Sequence, residues 1–142
     1  MSQAGPLVLL VEDSRADALL LRRELLAHRP NTRLHVVTDS DAALEFLRGD
    51  AEPLPGLVIL DLKLPKRDGR ELLGDLKADA TLRHIPVVVL TSSALPGDVD
   101  RCYELHANAY VSKPMGLSEL RKTVQSISHF WLDTALLPGG PR

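Results

Sequence analysis

The feature that most constrains this chain is an alternation. Short apolar runs at Leu7–Val11, Leu34–Val37, Leu57–Leu60 and Val87–Leu90, with a weaker one at Ala109–Val111, are separated by segments whose leucines recur at helical spacing. Each run has the length of a strand and is bounded by charged, Gly or Pro residues. The first, third and fourth are apolar almost without interruption, as a parallel strand covered on both faces must be; a strand with one wet face would alternate. Between the runs, Ser14–His28 carries Leu19, Leu20, Leu25 and Leu26, and opens with Ser14 three residues before Asp17, a weak capping box. Ala42–Arg48 stops at Gly49, a residue type favoured just past a helix end, and Arg70–Lys77 sets Leu72, Leu73 and Leu76 on one face. Asp98–Leu105 is the faintest helical pattern, whereas Ser118–Phe130 places Leu120, Val124, Ile127 and Trp131 on one stripe.

Five such βα units predict a doubly wound α/β domain, a five-stranded parallel sheet with helices on both faces, because right-handed crossovers leave few other ways to cover it. At 142 residues, 44% of them hydrophobic, the chain suits one domain with a real core, and the flavodoxin-like strand order 2-1-3-4-5 is the natural candidate. That order sets the first and third strands side by side at the topological switch point, where ligands bind beyond the carboxyl ends of the strands. Glu12 and Asp13 follow the first strand and Asp61 the third, so three carboxylates are expected in one crevice. Like charges so placed raise one another's pKa and call for a positive partner. A hard divalent cation fits, Mg²⁺ above all, since it favours one or two carboxylates with waters and a phosphate oxygen. The fourth strand runs out into a hydroxyl at Thr91 and the fifth is followed by an ammonium at Lys113, the two groups suited to bind and neutralise phosphoryl oxygens on an aspartate between them.

Composition removes other classes. The formal net charge of −2 offers no general attraction to nucleic acid or anionic membrane, and the first apolar run is far too short to span a bilayer. The single cysteine, Cys102, reads as a core residue and rules out an internal disulfide, so a soluble cytoplasmic protein is expected. The five histidines, His28, His35, His84, His106 and His129, lack zinc-site spacing and read as surface or structural residues. No Gly-rich phosphate loop suggests an NTPase.

The motifs "VEDS", "DLKLPKRDG", "LTSS" and "YVSKP", in that order over about residues 7 to 130, resemble the receiver domains of two-component response regulators. The resemblance implies that Asp61 is the phosphoacceptor, and that Glu12, Asp13, Asp61 and the backbone carbonyl of Lys63 hold Mg²⁺ (or Mn²⁺). It further makes Thr91 the switch hydroxyl, Lys113 the phosphate-pairing lysine and Tyr110 the aromatic switch, and it implies a cis Lys113–Pro114 bond, the other reading being an ordinary trans proline. "LPKRDGRELL", "ELHANAYVSKP" and "FWLDTALLP" are similar to the single-domain regulators that partner phytochrome histidine kinases. A sensor histidine kinase is then the donor, and output passes through a downstream protein, since the segment after the last helix is too short for an output domain. An aspartyl-phosphate phosphatase is the competing class, but Lys63 stands where it would want a second acid; a flavin binder would want an apolar, aromatic lining that is not evident. Residues 1–130 are expected to form the receiver unit. Residues 131–142, an extension rich in apolar side chains, are expected to pack against a second copy in a two-fold homodimer, or else to fold back as a lid.

Overall fold

The computed structural model describes residues 5–49 and 53–139; residues 1–4 of the expected receiver unit and 140–142 of the expected extension lie outside the described residues. Five strands, β1 (Leu7–Val11), β2 (Arg33–Val37), β3 (Leu57–Leu60), β4 (Val87–Thr91) and β5 (Ala109–Ser112), form one parallel sheet in the order β2-β1-β3-β4-β5. Five helices alternate with them: α1 (Arg15–His28), α2 (Ser40–Arg48), α3 (Gly69–Ala78), α4 (Pro96–Glu104) and α5 (Leu117–Ser128). A π-helical turn, His129–Thr134, follows α5. The expected fold class and strand order are both found.

Strand parity divides the core. Leu9, Val11, Val58, Leu60, Val87 and Val89 face one side, against Leu44, Leu72, Leu73, Leu76 and Cys102. Val8, Leu10, Leu57, Ile59, Val88 and Leu90 face the other, against Leu21, Leu25, Leu120, Val124 and Ile127. Each fully buried aliphatic side chain contributes roughly 1.5–3 kcal/mol, so these two layers of contact hold the strand ends in place. β2 is an edge strand with alternating exposure, which explains why its run is the less continuous.

Three local readings need correction. Leu21 and Leu25, four residues apart, define the buried face of α1, so Leu19 lies on the far side and is 59% exposed. Gly49 caps α2 in an extended conformation (φ −76°, ψ 153°), with no left-handed residue there. The final helix does not run regularly through Phe130: at the π-turn the Ala135 N–H bonds to the Phe130 carbonyl (2.7 Å), and the extra residue turns Leu132 fully inward while Trp131 packs only half-buried. Leu137 also packs on the same core, so the extension is partly folded onto its own domain, leaving Phe130 (50%) and Leu136 (94%) exposed.

Candidate functional site: an acid pocket at the ends of β1, β3 and β5

The strands end where the chemistry begins. β1 and β3 are in register from Val8 opposite Leu57 to Val11 opposite Leu60, so Glu12 and Asp61 leave the sheet side by side. Both are buried. The loop after Asp61 is drawn tight: the Gly69 N–H bonds to the Leu62 carbonyl at 2.9 Å. A Cβ on Gly69 would come within 2.5 Å of the Asp61 carbonyl oxygen, so only glycine lets α3 start this close to the strand end. Lys66 takes a positive φ of 68° in the turn between them.

Lys113 is the centre of the pocket. Its Nζ donates to Glu12 Oε1 (2.5 Å), Asp61 Oδ2 (2.8 Å) and Asp17 Oδ2 (2.9 Å). The backbone aims it, since the Lys113 N–H donates to the Thr91 carbonyl at 2.7 Å. The Lys113–Pro114 bond expected as cis is trans, and this hydrogen bond together with the three carboxylates orients the lysine without it. The other oxygen of Asp61 accepts from the Lys63 N–H (3.1 Å), and Glu12 Oε2 accepts from the Ser14 N–H (3.1 Å).

Burial and charge then set the proton affinities. Glu12 is pushed from its ordinary 4.5 up to about 7, chiefly by burial, with the neighbouring Asp61 adding to the rise and Lys113 opposing it. Burial pushes Asp61 the same way, but the Lys113 ammonium and the Lys63 N–H outweigh it and hold Asp61 below the ordinary aspartate range. Burial works against the Lys113 charge, and bonds to Asp61, Glu12 and Asp17 more than restore it, raising its pKa. The pocket therefore presents an ionised Asp61 beside a fixed ammonium.

Of the residues singled out in the sequence, Glu12, Asp61 and Lys113 are brought into direct contact. Thr91 is fully buried at the end of β4, and its hydroxyl has no hydrogen-bond partner. An orphaned buried hydroxyl costs about 1–3 kcal/mol, and the Thr91 backbone is tied to the pocket through its carbonyl, which accepts from the Lys113 N–H. Tyr110 is half-buried, its hydroxyl donating to the Ser93 carbonyl at 2.9 Å. Asp13 and the Lys63 side chain are exposed at the pocket rim, and Asp13 does not close with Glu12 and Asp61 into one tight carboxylate cluster. Asp17, in sequence only a helix-start acid, proves to be a third carboxylate on Lys113; its place in the first turn after β1 is the available signal. A second network has no signature in the sequence pattern: Arg70 binds Asp68 through two nitrogens and reaches Asp98 on α4 (3.0 Å), whose other oxygen accepts from the Ser93 hydroxyl (2.5 Å). The donor set is all oxygen, with two buried acids and a third at the rim, which fits a hard divalent cation and not a thiophilic one.

Comparison with known proteins gives the family. Residues 8–125 match the family model of the response regulator receiver domain. Response regulator Rcp1 of Synechocystis sp. is 46% identical over 141 residues, covering 96% of this chain and 96% of the relative. The crystal structure of the Mn²⁺-bound form of Rcp1 superposes with a TM-score of 0.90 at 45% identity, covering 94% of this chain and 99% of that one. That of the phosphorylated cyanobacterial phytochrome response regulator RcpA does so with a TM-score of 0.91 at 41% identity, covering 96% and 100%. With residues 8–125 matched by that model and Rcp1 46% identical over nearly the whole length of both chains, the protein belongs to the response regulator receiver domain family.

Proposed function

We propose that this protein is a single-domain response regulator in which Asp61 accepts a phosphoryl group from the phosphohistidine of a sensor histidine kinase, and that the kinase is a phytochrome. The observation that carries the reading is the pairing of a buried, ionised Asp61 with Lys113 Nζ at 2.8 Å, the lysine's backbone N–H being held by the carbonyl of Thr91, whose hydroxyl is unpartnered. The similarity to the cyanobacterial phytochrome response regulator RcpA supports the phytochrome partnership.

In this reading an Asp61 carboxylate oxygen attacks phosphorus in line with the departing imidazole nitrogen; the new O–P bond forms as the P–N bond breaks, leaving an acyl phosphate and a neutral histidine. Glu12, Asp13, Asp61 and the Lys63 carbonyl would hold Mg²⁺ or Mn²⁺, which would supply positive charge to neutralise phosphoryl oxygens. Lys113 binds a phosphoryl oxygen as it leaves Asp61 Oδ2, and Thr91 donates its orphaned hydroxyl to another. Drawing Thr91 inward pulls the loop that carries Ser93, and through the Ser93 carbonyl it moves Tyr110. The protein catalyses its own phosphorylation and dephosphorylation and turns over no separate substrate. Among the described residues no helix is long and apolar enough to cross a membrane, and a cytoplasmic site of action follows from the kinase partner.

Incubation with acetyl phosphate and Mg²⁺ followed by intact-mass measurement tests the reading. One labile phosphate, absent without Mg²⁺, is expected; steady hydrolysis of simple esters without a phosphorylated protein would overturn it. The homodimer expected from the C-terminal extension rests on Phe130 and Leu136, exposed despite their size, because Trp131, Leu132 and Leu137 already have intramolecular contacts. Light scattering of the full chain against a version ending at Phe130 checks it, and two monomers would reduce the extension to a lid.

A further inference from the structure

Outside the acid pocket, the described residues contain one cluster of metal-competent side chains. His28, at the end of α1, meets His129 and Asp133 of the π-turn, and their ligand atoms all lie within 4.8 Å of one another. We infer that these three side chains form a second metal site, separate from the phosphorylation pocket, that takes a borderline divalent cation of the Zn²⁺ class.

The donors are already oriented. Asp133 Oδ2 lies 2.7 Å from His28 Nε2 and 3.6 Å from His129 Nδ1, so both imidazoles converge on one carboxylate oxygen. The other oxygen, Oδ1, is held by Arg29 Nη1 at 2.9 Å, and the same nitrogen donates to the Leu132 carbonyl at 2.9 Å. Arg29 thereby fixes the carboxylate from outside the donor set, as outer partners of ligating carboxylates do. Behind it the buried Leu132 anchors the π-turn, a type of distortion often found at functional sites. Two imidazoles and one carboxylate favour Zn²⁺, Ni²⁺ or Cu²⁺ over Mg²⁺, and three protein ligands leave a fourth tetrahedral position for water. With metal–ligand bonds of about 2.1 Å, tetrahedral donors stand about 3.4 Å apart; the exposed His129 ring is free to make that small adjustment. Sequence spacing concealed the site because 101 residues separate His28 from His129. Only the i, i+4 pair His129 and Asp133 is local. Occupied, the site would tie the C-terminal segment to α1, the helix whose first turn delivers Asp17 to Lys113.

Calorimetric titration of the full chain with Zn²⁺ in excess Mg²⁺, which holds the carboxylate pocket, tests this. One Zn²⁺ per chain is expected to bind, with affinity at least tenfold weaker in His129→Ala and in Asp133→Asn. His129→Ala is expected to fold and to accept phosphate from acetyl phosphate as the parent does, because its ring is exposed and remote from Asp61. Co²⁺ supplies a second readout: the intense visible absorption of a tetrahedral site should form in the parent and be lost in His129→Ala. Equal Zn²⁺ affinity in parent and His129→Ala, or no binding to the parent, would reduce the cluster to an ion pair between His28 and Asp133.

Discussion

The two halves of the sheet are built differently. On one side β1 and β3 are buried along their whole length, and α1, α2 and α3 each begin with a side-chain cap from Ser14, Asp39 and Asp68. On the other side β4 is equally buried, but the edge strand β5 beyond it is only half-buried, α4 buries Cys102 alone, and Leu95 opens α4 without a side-chain cap. Leu95, Tyr103, Met115 and Leu117 remain exposed there. Few buried contacts and weak capping mean a low free energy of local opening. The nucleophile therefore sits on the half that resists movement, and the hydroxyl and aromatic that respond to it lead into the half that yields. Lys113 joins the two, coming from the loose side and binding the acids of the firm one.

The comparison breaks most sharply at Asp61. Asp61→Asn keeps the size and one hydrogen bond to Lys113 but loses the nucleophile, so Mg²⁺-dependent phosphorylation is expected to disappear while the circular dichroism spectrum stays native. Undiminished labelling by mass would move the acceptor off the firm half. Lys113→Ala is next: it leaves Glu12 and Asp61 buried without their countercharge, a loss of about 3 kcal/mol in chemical denaturation. Phosphorylation should slow at least tenfold, and Mg²⁺ should return part of the stability. A variant as stable as the parent would mean that Lys113 is not what reconciles the two acids.

How far the sequence carries depends on the same division. β1, β3 and β4 were legible because burial on both faces writes itself as continuous apolar runs, and the strand ends place Glu12, Asp61, Thr91 and Lys113 without any knowledge of rotamers. β5 was the faintest run and α4 the faintest helix; β5 has no fully buried residue and α4 buries Cys102 alone. The contacts of Asp17 and of Arg70 depend on which way long side chains turn across gaps of 96 and 28 residues, which no local pattern records. The exposure of Leu19 and the π-turn depend on helix phase, where a shift of one residue exchanges inside for outside.

The strain between the firm half's two acids has a pH signature. Glu12 is raised from 4.5 to about 7, so the folded state holds its proton more tightly than the unfolded chain does. The resulting stabilisation is fully present below 4.5 and is lost as pH rises through 7. Glu12→Gln stays neutral throughout. In EDTA it should match the parent near pH 4 and exceed it by roughly 3 kcal/mol at pH 8, read from denaturation midpoints. A gap that does not widen with pH would remove the crowding.

The smallest effect tests the loose half directly. Arg70 on α3 reaches Asp98 on α4, and Asp98 in turn accepts from Ser93 in the loop after Thr91, so one guanidinium latches the responsive side to the firm side. Both charges are partly solvated, with side-chain exposures of 39% and 26%, and such a pair contributes under about 1 kcal/mol. Arg70→Ala should therefore scarcely move the global denaturation midpoint. Its consequence should be local, because α4 has little else to hold it: amide exchange should quicken several-fold across Pro96–Glu104 while β1 and β3 keep the parent's protection. Lysine at position 70 keeps the charge but loses the two-pronged grip on Asp68, so it should fall between alanine and the parent. If exchange in α4 is unchanged by Arg70→Ala, the packing of Cys102 alone holds the helix, and the two halves differ less in mobility than their burial suggests.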